Sequence, residues 1–358
     1  MDMLENNLTD WNFISYEKIR DNPKQWNLTE SDYRIFKKTD WVVTEKIHGA
    51  NFAIVTDGEK VRFAKRKEFL LPQEDFFWFK SLGTQLVDRV KEIFNIIQAD
   101  TLRLSRISVY GELFGGEYPH PEVTIVPNVH AVQTGVYYSP QIEYCAFDIA
   151  LVESGNINAR TYVDYDKAIK IFERVDMMCA QPLFIGKYES ALAYNIEFNS
   201  TIPALLGLPK LPSPNKAEGV VIKPMKSFYL ETTKGRIRPI LKIKIPEFAE
   251  DSRFHQATKW THFTATHTSQ SLSRETELTQ AMLSLVTETR LNNLISKIGR
   301  VERREQQTVE ELLASDVRES FYEDYATFFT MLSADMQEKI ISRLNEECQI
   351  LVDKYFNN

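Results

Sequence analysis

The chain lacks what would mark a secreted, membrane-spanning or zinc-stapled protein. It has three cysteines in 358 residues. Cys145, Cys179 and Cys348 are odd in number, far apart and at no zinc-ligand spacing. That excludes a disulfide framework and suits small buried hydrophobes in a reducing compartment, the cytoplasm or another intracellular space. No run approaches the ~20 apolar residues needed to cross a bilayer. The first ten residues are polar and acidic, without the basic and apolar regions of a secretory leader. Basic excess is also missing, since the net charge is −7. That counts mildly against a nucleic-acid partner, although local fields matter more than the sum. Basic clusters occur at Lys65-Arg66-Lys67 and across 234–244, whereas residues 251–358 hold 12 Lys and Arg against 17 Asp and Glu.

What is present falls into two textures. From about Trp41 to Pro246, short β-branched runs alternate with turn signals. Val42-Val43, Phe52 to Val55, Val61 to Ala64, Ile107 to Tyr110, Val220 to Ile222 and Leu241 to Ile243 predict strands. Asp57-Gly58 marks a tight turn between two of them. Helical patterns run from Phe76 to Ile97 and from Tyr165 to Arg174. This mixture predicts an α+β domain on antiparallel sheets over 1–250. Residues 251–273, rich in Thr, Ser, Gln and His, predict a linker. Beyond it, Leu278, Met282, Leu285, Val286, Leu294, Ile295 and Ile298 recur at helical spacing, with Gly299 as a stop. Thr308-x-x-Glu311 is a capping-box signature, and Ser333 is placed to cap a last helix. A small all-α domain over 274–358 follows.

The most informative stretch is Thr44-Glu45-Lys46-Ile47-His48-Gly49-Ala50-Asn51-Phe52. It presents a lysine just after a β-branched run and three residues before a glycine. A bare Lys-x-x-Gly is weak, but the full stretch is specific. A free lysine has a pKa near ~10.4, so a nucleophilic one needs nearby positive charge or desolvation. Lys242 and Lys244 alternate with Leu241, Ile243 and Ile245, which sends both ammonium groups to one face of a strand. Taken alone that is a solvated edge; beside Lys46 it suits a polyphosphate. Tyr110-Gly111-Glu112-Leu113-Phe114-Gly115-Gly116 sets a carboxylate at a strand end before a glycine turn. Glu143 to Asp148 predicts a buried strand carrying Phe147. Glu218 precedes a strand and Lys223 follows it. His120, His130, His255, His262 and His267 show no metal spacing.

Together these motifs resemble the covalent nucleotidyltransferases, in order: Lys46 to Gly49 as motif I, Tyr110 to Gly116 as III, Phe147-Asp148 as IIIa, Glu218 to Lys223 as IV, and Lys242 to Lys244 as V. His48, Asn51, Lys65-Arg66 and Leu291 to Gly299 resemble the RNA ligase 2 branch. Gly115 to Pro121 is also similar to the kinetoplastid RNA-editing ligases. The resemblance implies an adenylyltransferase domain of ATP-grasp-like nucleotidyltransferase fold. It implies an ATP-dependent RNA ligase that joins a 3′-hydroxyl to a 5′-phosphate through lysyl-AMP and RNA-adenylate, on nicked or bridged duplex RNA in repair. Lys46 would be the nucleophile, with Glu218, Lys242 and Lys244 catalytic. Glu45, Ile47, Asn51, Arg66, Glu112, Phe147, Lys223, Lys242 and Lys244 would bind the nucleotide, Glu112 at the ribose and Phe147 on the adenine. His48, Asn51, Lys65 and Arg66 would meet the RNA, though His48 is equally a brace for its loop. Mg²⁺, with Mn²⁺ as a substitute, would arrive through phosphates and water near Glu218, since no direct ligand spacing is seen. Arg290, Lys297 and Arg300 are the C-terminal candidates for RNA contact. Protein partners are left open: the C-terminal domain could instead pack on the catalytic domain or bind a protein, and the chain could be a repair module that works only in a larger complex.

Two rival readings keep the lysine chemistry: an mRNA-capping guanylyltransferase and a DNA ligase. Both usually add an OB-fold, and five short strands are not predicted after residue 250. A non-catalytic RNA-binding protein of the same fold would have lost some of the charged motif residues, and none is lost.

Overall fold

The computed structural model describes residues 11–155, 160–232, 235–248, 275, 278–279 and 281–357. The chain divides into two compact units, Met1–Ile245 and Pro246–Asn358. The predicted linker at 251–273 lies outside the described residues.

In the first unit a 3-10 turn (Pro23–Trp26) is followed by helix α1 (Glu30–Lys38) and strands β1 (Trp41–Glu45), β2 (Ala50–Thr56) and β3 (Val61–Ala64). Helix α2 (Gly83–Gln98) leads to two long strands, β4 (Leu104–Glu117) and β5 (Ser139–Glu153), and then β6 (Thr161–Tyr162). After α3 (Tyr165–Arg174) come β7 (Pro182–Gly186), α4 (Tyr188–Leu192) and α5 (Ile202–Leu205). Strands β8 (Gly219–Pro224), β9 (Leu230–Thr232), β10 (Gly235–Ile237) and β11 (Leu241–Lys244) close the unit. One antiparallel sheet has the order β11-β8-β1-β7 and another β3-β2-β4-β5-β6, with β9 and β10 paired apart. This is the predicted α+β architecture.

Local chemistry explains the turns. Asp57 Oδ1 accepts from the N–H groups of Glu59 and Lys60 and folds the β2–β3 hairpin. Along α2, Leu86, Val90, Ile93, Phe94 and Ile97 recur on one stripe and bury against the five-stranded sheet. The helix predicted from Phe76 is broken at its start. Phe76–Ser81 is a separate turn with Phe77 and Trp78 at positive φ. Phe76, Phe77 and Phe79 all bury in the same core. Strand β4 also departs from expectation. It runs through Gly115 and Gly116 to Glu117, so Glu112 sits within the strand and not at its end.

The two sheets each have their own core. Trp41, Val43, Val220, Ile222 and Leu241 bury one face of the four-stranded sheet. The other face carries Val221, which packs with Ala53 and Tyr110 of the five-stranded sheet. Paired positions share a face, so Lys223, Lys242 and Lys244 lie on the side of Val221. Asn51 and Glu112, paired in register, lie on the side of Ala53 and Tyr110. Polar residues from both sheets therefore line one cleft.

In the second unit the described elements are helical: α6 (Glu288–Ile298), α7 (Gln306–Thr330) and α8 (Ala334–Asn357), with short 3-10 turns. Leu291, Leu294, Leu313, Val317, Phe321, Leu344, Cys348 and Val352 form its core. Gly299 follows α6 at φ 96°. The capping box falls at Glu302 and Glu305, where Glu302 N–H donates to Glu305 Oε2 at 2.8 Å, and Thr308 lies inside α7. Ser333 Oγ accepts from Met336 N–H at 3.4 Å, as a cap would. Among the described residues no helix is long and apolar enough to cross a membrane.

Candidate active site

Strand β1 belongs to one sheet and β2 to the other, so the turn between them, Lys46 to Gly49, bridges the cleft. Lys46 N–H donates to Gly219 O at 2.9 Å and extends the β1–β8 pairing by one residue. Gly49 is required by close approach, because a Cβ there would collide with the carbonyl oxygen of Leu113. Gly219 is required by conformation. Its φ is 149°, and a Cβ would meet the carbonyl oxygen of Ile243. These two glycines let three strands converge behind the lysine.

The Lys46 Nζ lies 2.6 Å from Glu218 Oε2, and His48 Nδ1 lies 3.3 Å from the same oxygen. Lys244 Nζ pairs with Oε1 at 2.9 Å. One carboxylate thus gathers three groups of the motif stretches. Burial acts to raise the Glu218 pKa, but Lys46, Lys244 and His48 outweigh it and hold the carboxyl well below the usual range. His48 is also fixed by its backbone, whose N–H donates to the Tyr138 hydroxyl at 2.8 Å.

Glu112 faces this group from the other sheet. Burial pushes its carboxyl up to about 7, and the charge of Glu218 adds to the rise. Lys46, Arg66 and a hydrogen bond with Asn51 work in the opposite direction. Arg66 follows β3 and reaches Glu17 O at 3.4 Å. Phe147 is half-buried and meets the Tyr16 ring edge-on, with centroids 5.0 Å apart. Lys242 lies on the cleft face of β11, its backbone N–H donating to Arg20 O at 2.8 Å.

Four candidates are engaged elsewhere. Lys223 Nζ is buried and donates to Phe147 O at 2.6 Å and Asp148 Oδ1 at 2.9 Å, so it braces the strand behind Phe147. Glu45 accepts from Ser200 Oγ, Thr201 N–H and Thr201 Oγ1 at 2.6–2.8 Å, which anchors the start of α5. Ile47 is buried. Lys65 pairs with Glu74 at 3.0 Å and Glu68 at 3.2 Å. In the second unit, Arg290 is buried and donates to Asp316 Oδ2 at 2.8 Å and Ser320 Oγ at 2.9 Å, and Lys297 pairs with Asp316 at 3.4 Å. Sequence reasoning also passed over residues that complete the cleft. Tyr16 and Arg238 bind Asp148 Oδ2 at 2.5 and 2.7 Å. Arg238 lies within the basic stretch 234–244, which was the available signal; Tyr16 carried none.

Comparison with known proteins bears on this arrangement. The sequence model of the RNA ligase family matches residues 39–244, and that of the T4 RNA ligase 2 C-terminal region matches 268–350. The chain belongs to the RNA ligase family, in its RNA ligase 2 branch. Mitochondrial RNA-editing ligase 2 of Trypanosoma brucei brucei is 32% identical, over 80% of this chain and 77% of that one. RNA-editing ligase 1 of the same organism is 28% identical, over 88% and 77%. Among solved structures, a Naegleria gruberi RNA ligase variant with ATP and Mn aligns with a TM-score of 0.42 and 11% identity. That match spans 65% of this chain and 57% of the other, less than two thirds of its length. Lys46, His48, Glu112, Glu218 and Lys244 all lie within the span 39–244 that the RNA ligase family model matches.

Proposed function

We propose that this RNA ligase uses ATP to join RNA ends, a 3′-hydroxyl to a 5′-phosphate, in three transfers. First, the Lys46 amine attacks the α-phosphate of ATP; the nitrogen–phosphorus bond forms, the α–β bridge breaks and pyrophosphate leaves. Next, a 5′-phosphate oxygen of the RNA attacks the lysyl-AMP phosphorus, the nitrogen–phosphorus bond breaks, and Lys46 takes a proton from water and departs as the amine. Last, the 3′-hydroxyl attacks the activated end, and AMP leaves. A nicked or bridged duplex in RNA repair is the proposed substrate. The observation that carries this reading is the convergence of Lys46, His48 and Lys244 on Glu218, with Glu112 opposite.

The charges suit the roles. Glu218 holds protons weakly, so it aims the Lys46 nitrogen and does not act as its base; the proton lost by Lys46 passes to water. Lys244 and Lys242 supply positive charge to phosphate oxygens, and Arg66 does so from the opposite sheet. Glu112 accepts from ribose hydroxyls, and Phe147 offers its ring to the adenine. Among the described residues no group of three His, Cys, Asp or Glu is placed to hold a metal. Glu218 is already matched by two lysines, so Mg²⁺ or Mn²⁺ would come with the phosphates and their waters. When bound, the ion neutralises charge on the phosphate oxygens. The helical second unit supports this reading over a capping enzyme or DNA ligase, since its described residues form no strand.

The test is incubation with Mg²⁺ and α-labelled ATP or GTP, using wild type and Lys46→Ala. An acid-labile covalent label from ATP alone, absent in the variant, supports the proposal. A label from GTP points to capping, and no label from a folded protein sinks the catalytic reading.

A further inference from the structure

The segment 13–20 has no part in the chemistry above, yet it is bound to both sheets. Ile14 O accepts from the Tyr110 hydroxyl at 2.5 Å and from Arg160 at 3.1 Å, and Ser15 O accepts from Arg160 at 2.7 Å. At its other end, Arg20 O accepts the Lys242 N–H and extends the four-stranded sheet. Glu17 lies between. Its carboxylate accepts from the Tyr162 hydroxyl at 2.5 Å and from Arg160 at 2.9 Å, and pairs with Arg238 Nε at 3.1 Å. Tyr162 belongs to β6 of one sheet, and Arg238 leads into β11 of the other. Glu17 therefore ties the two walls of the cleft together through one side chain.

We propose that Glu17 is a positioning residue for the nucleotide. It pins the segment 13–20 as a strap, and the strap sets Arg66, Phe147 and Lys242 before ATP arrives. Each of these three touches the strap directly: Arg66 at Glu17 O, Phe147 at the Tyr16 ring, Lys242 at Arg20 O. Removing the carboxylate takes from Arg160 and Arg238 the anion they share. The strap then loosens, and ATP must order these side chains on binding, which costs affinity. The maximal rate at Lys46 changes little, because the contacts of Glu218 are elsewhere.

This inference rests on the nucleotide reading of the cleft, so its test separates the two. Lys46 labelling is followed against ATP concentration in full-length wild type, Glu17→Gln, Glu17→Ala and Tyr162→Phe. The half-saturating ATP concentration rises about tenfold for Glu17→Ala and about threefold for Tyr162→Phe, at near-constant maximal labelling. A merely structural role would reduce the amount of competent enzyme, lowering maximal labelling with the ATP dependence unchanged, and that result overturns the proposal. Equilibrium ATP binding in the Lys46→Ala background reads the same shift without the covalent step. If ATP binds there and Glu17 substitutions shift its affinity, the positioning role stands even where no label forms. If they do not shift it, the role falls while ATP binding remains. Absence of ATP binding overturns both.

Discussion

Two buried carboxylates in the first unit are each clamped by two cations, and they differ in whether those cations reach solvent. Glu218 and Asp148 are 1% and 3% exposed. Glu218 pairs with Lys46 and Lys244, whose side chains remain 21% and 12% exposed. Asp148 pairs with Lys223 and Arg238, both at 6%. Both carboxyls lie below their usual range, Asp148 at about 2, where burial is outweighed by Arg238 and Lys223. The electrostatic pattern is the same, but only the first set of cations opens to the cleft. An arriving phosphate can take over cations that reach its surface, whereas the sealed set serves to hold the two sheets in place behind Phe147.

The sharpest way to break this comparison is at Glu218. We expect Glu218→Gln to slow Lys46 adenylation by about a hundredfold or more, with Lys46→Ala abolishing it, as measured by acid-labile label. Next is stability. Asp148→Asn leaves two buried cations short of their anion and should cost about 3–5 kcal/mol in urea unfolding. Glu218→Gln should cost less than half of that, because its cations reach solvent. Equal losses would erase the distinction.

A smaller effect comes with pH. Glu112 is raised from 4.5 to about 7, so its contribution to stability is full below 4.5 and is lost as pH rises through 7. The sign is opposite for Asp148, whose contribution is present above 3.8 and lost as pH falls toward 2. Since the ionised Glu112 is the better acceptor for ribose, ATP affinity should rise several-fold between pH 6 and 8 in wild type and stay flat in Glu112→Gln. Calorimetry at each pH decides it. Smallest of all is Lys65→Ala. Its ammonium is already matched by two acids on a partly open surface, so unfolding free energy should move by about 1 kcal/mol or less and ligation by less than about twofold.

Much of this was legible in the sequence, and the illegible parts share a cause. Strand alternation placed Lys242 and Lys244 on one face, and they lie on one face. The helix at Tyr165–Arg174 stands where its apolar spacing put it. The ordered motifs named the residues that gather at Glu218. Lys223 shows the limit. Strand register gives it the same face as Lys242, yet Asp148 from the opposing sheet captures it. Which acid a lysine meets across a cleft depends on how two sheets pack, and no local period records that. Arg290 tells the same story in the second unit, where Asp316, 26 residues on, buries a cation expected at the surface. Tyr16 and Glu17 sit in a segment with no periodicity at all, so their contacts emerge only from the tertiary structure.

The main-chain bonds behind Lys46 have a consequence for how the protein is made. Lys46 is bonded to Gly219, Ile245 is bonded to Glu218, and Lys244 lies opposite Gly219. A ribosome releases Lys46 long before Glu218, which lies 172 residues further along. During that interval the lysine has neither its carboxylate nor its neighbouring ammonium group. Strand β11 is the last to enter the sheet, and its arrival completes the set. The cluster around Glu218 is therefore complete only once the final strand of its own unit is in place.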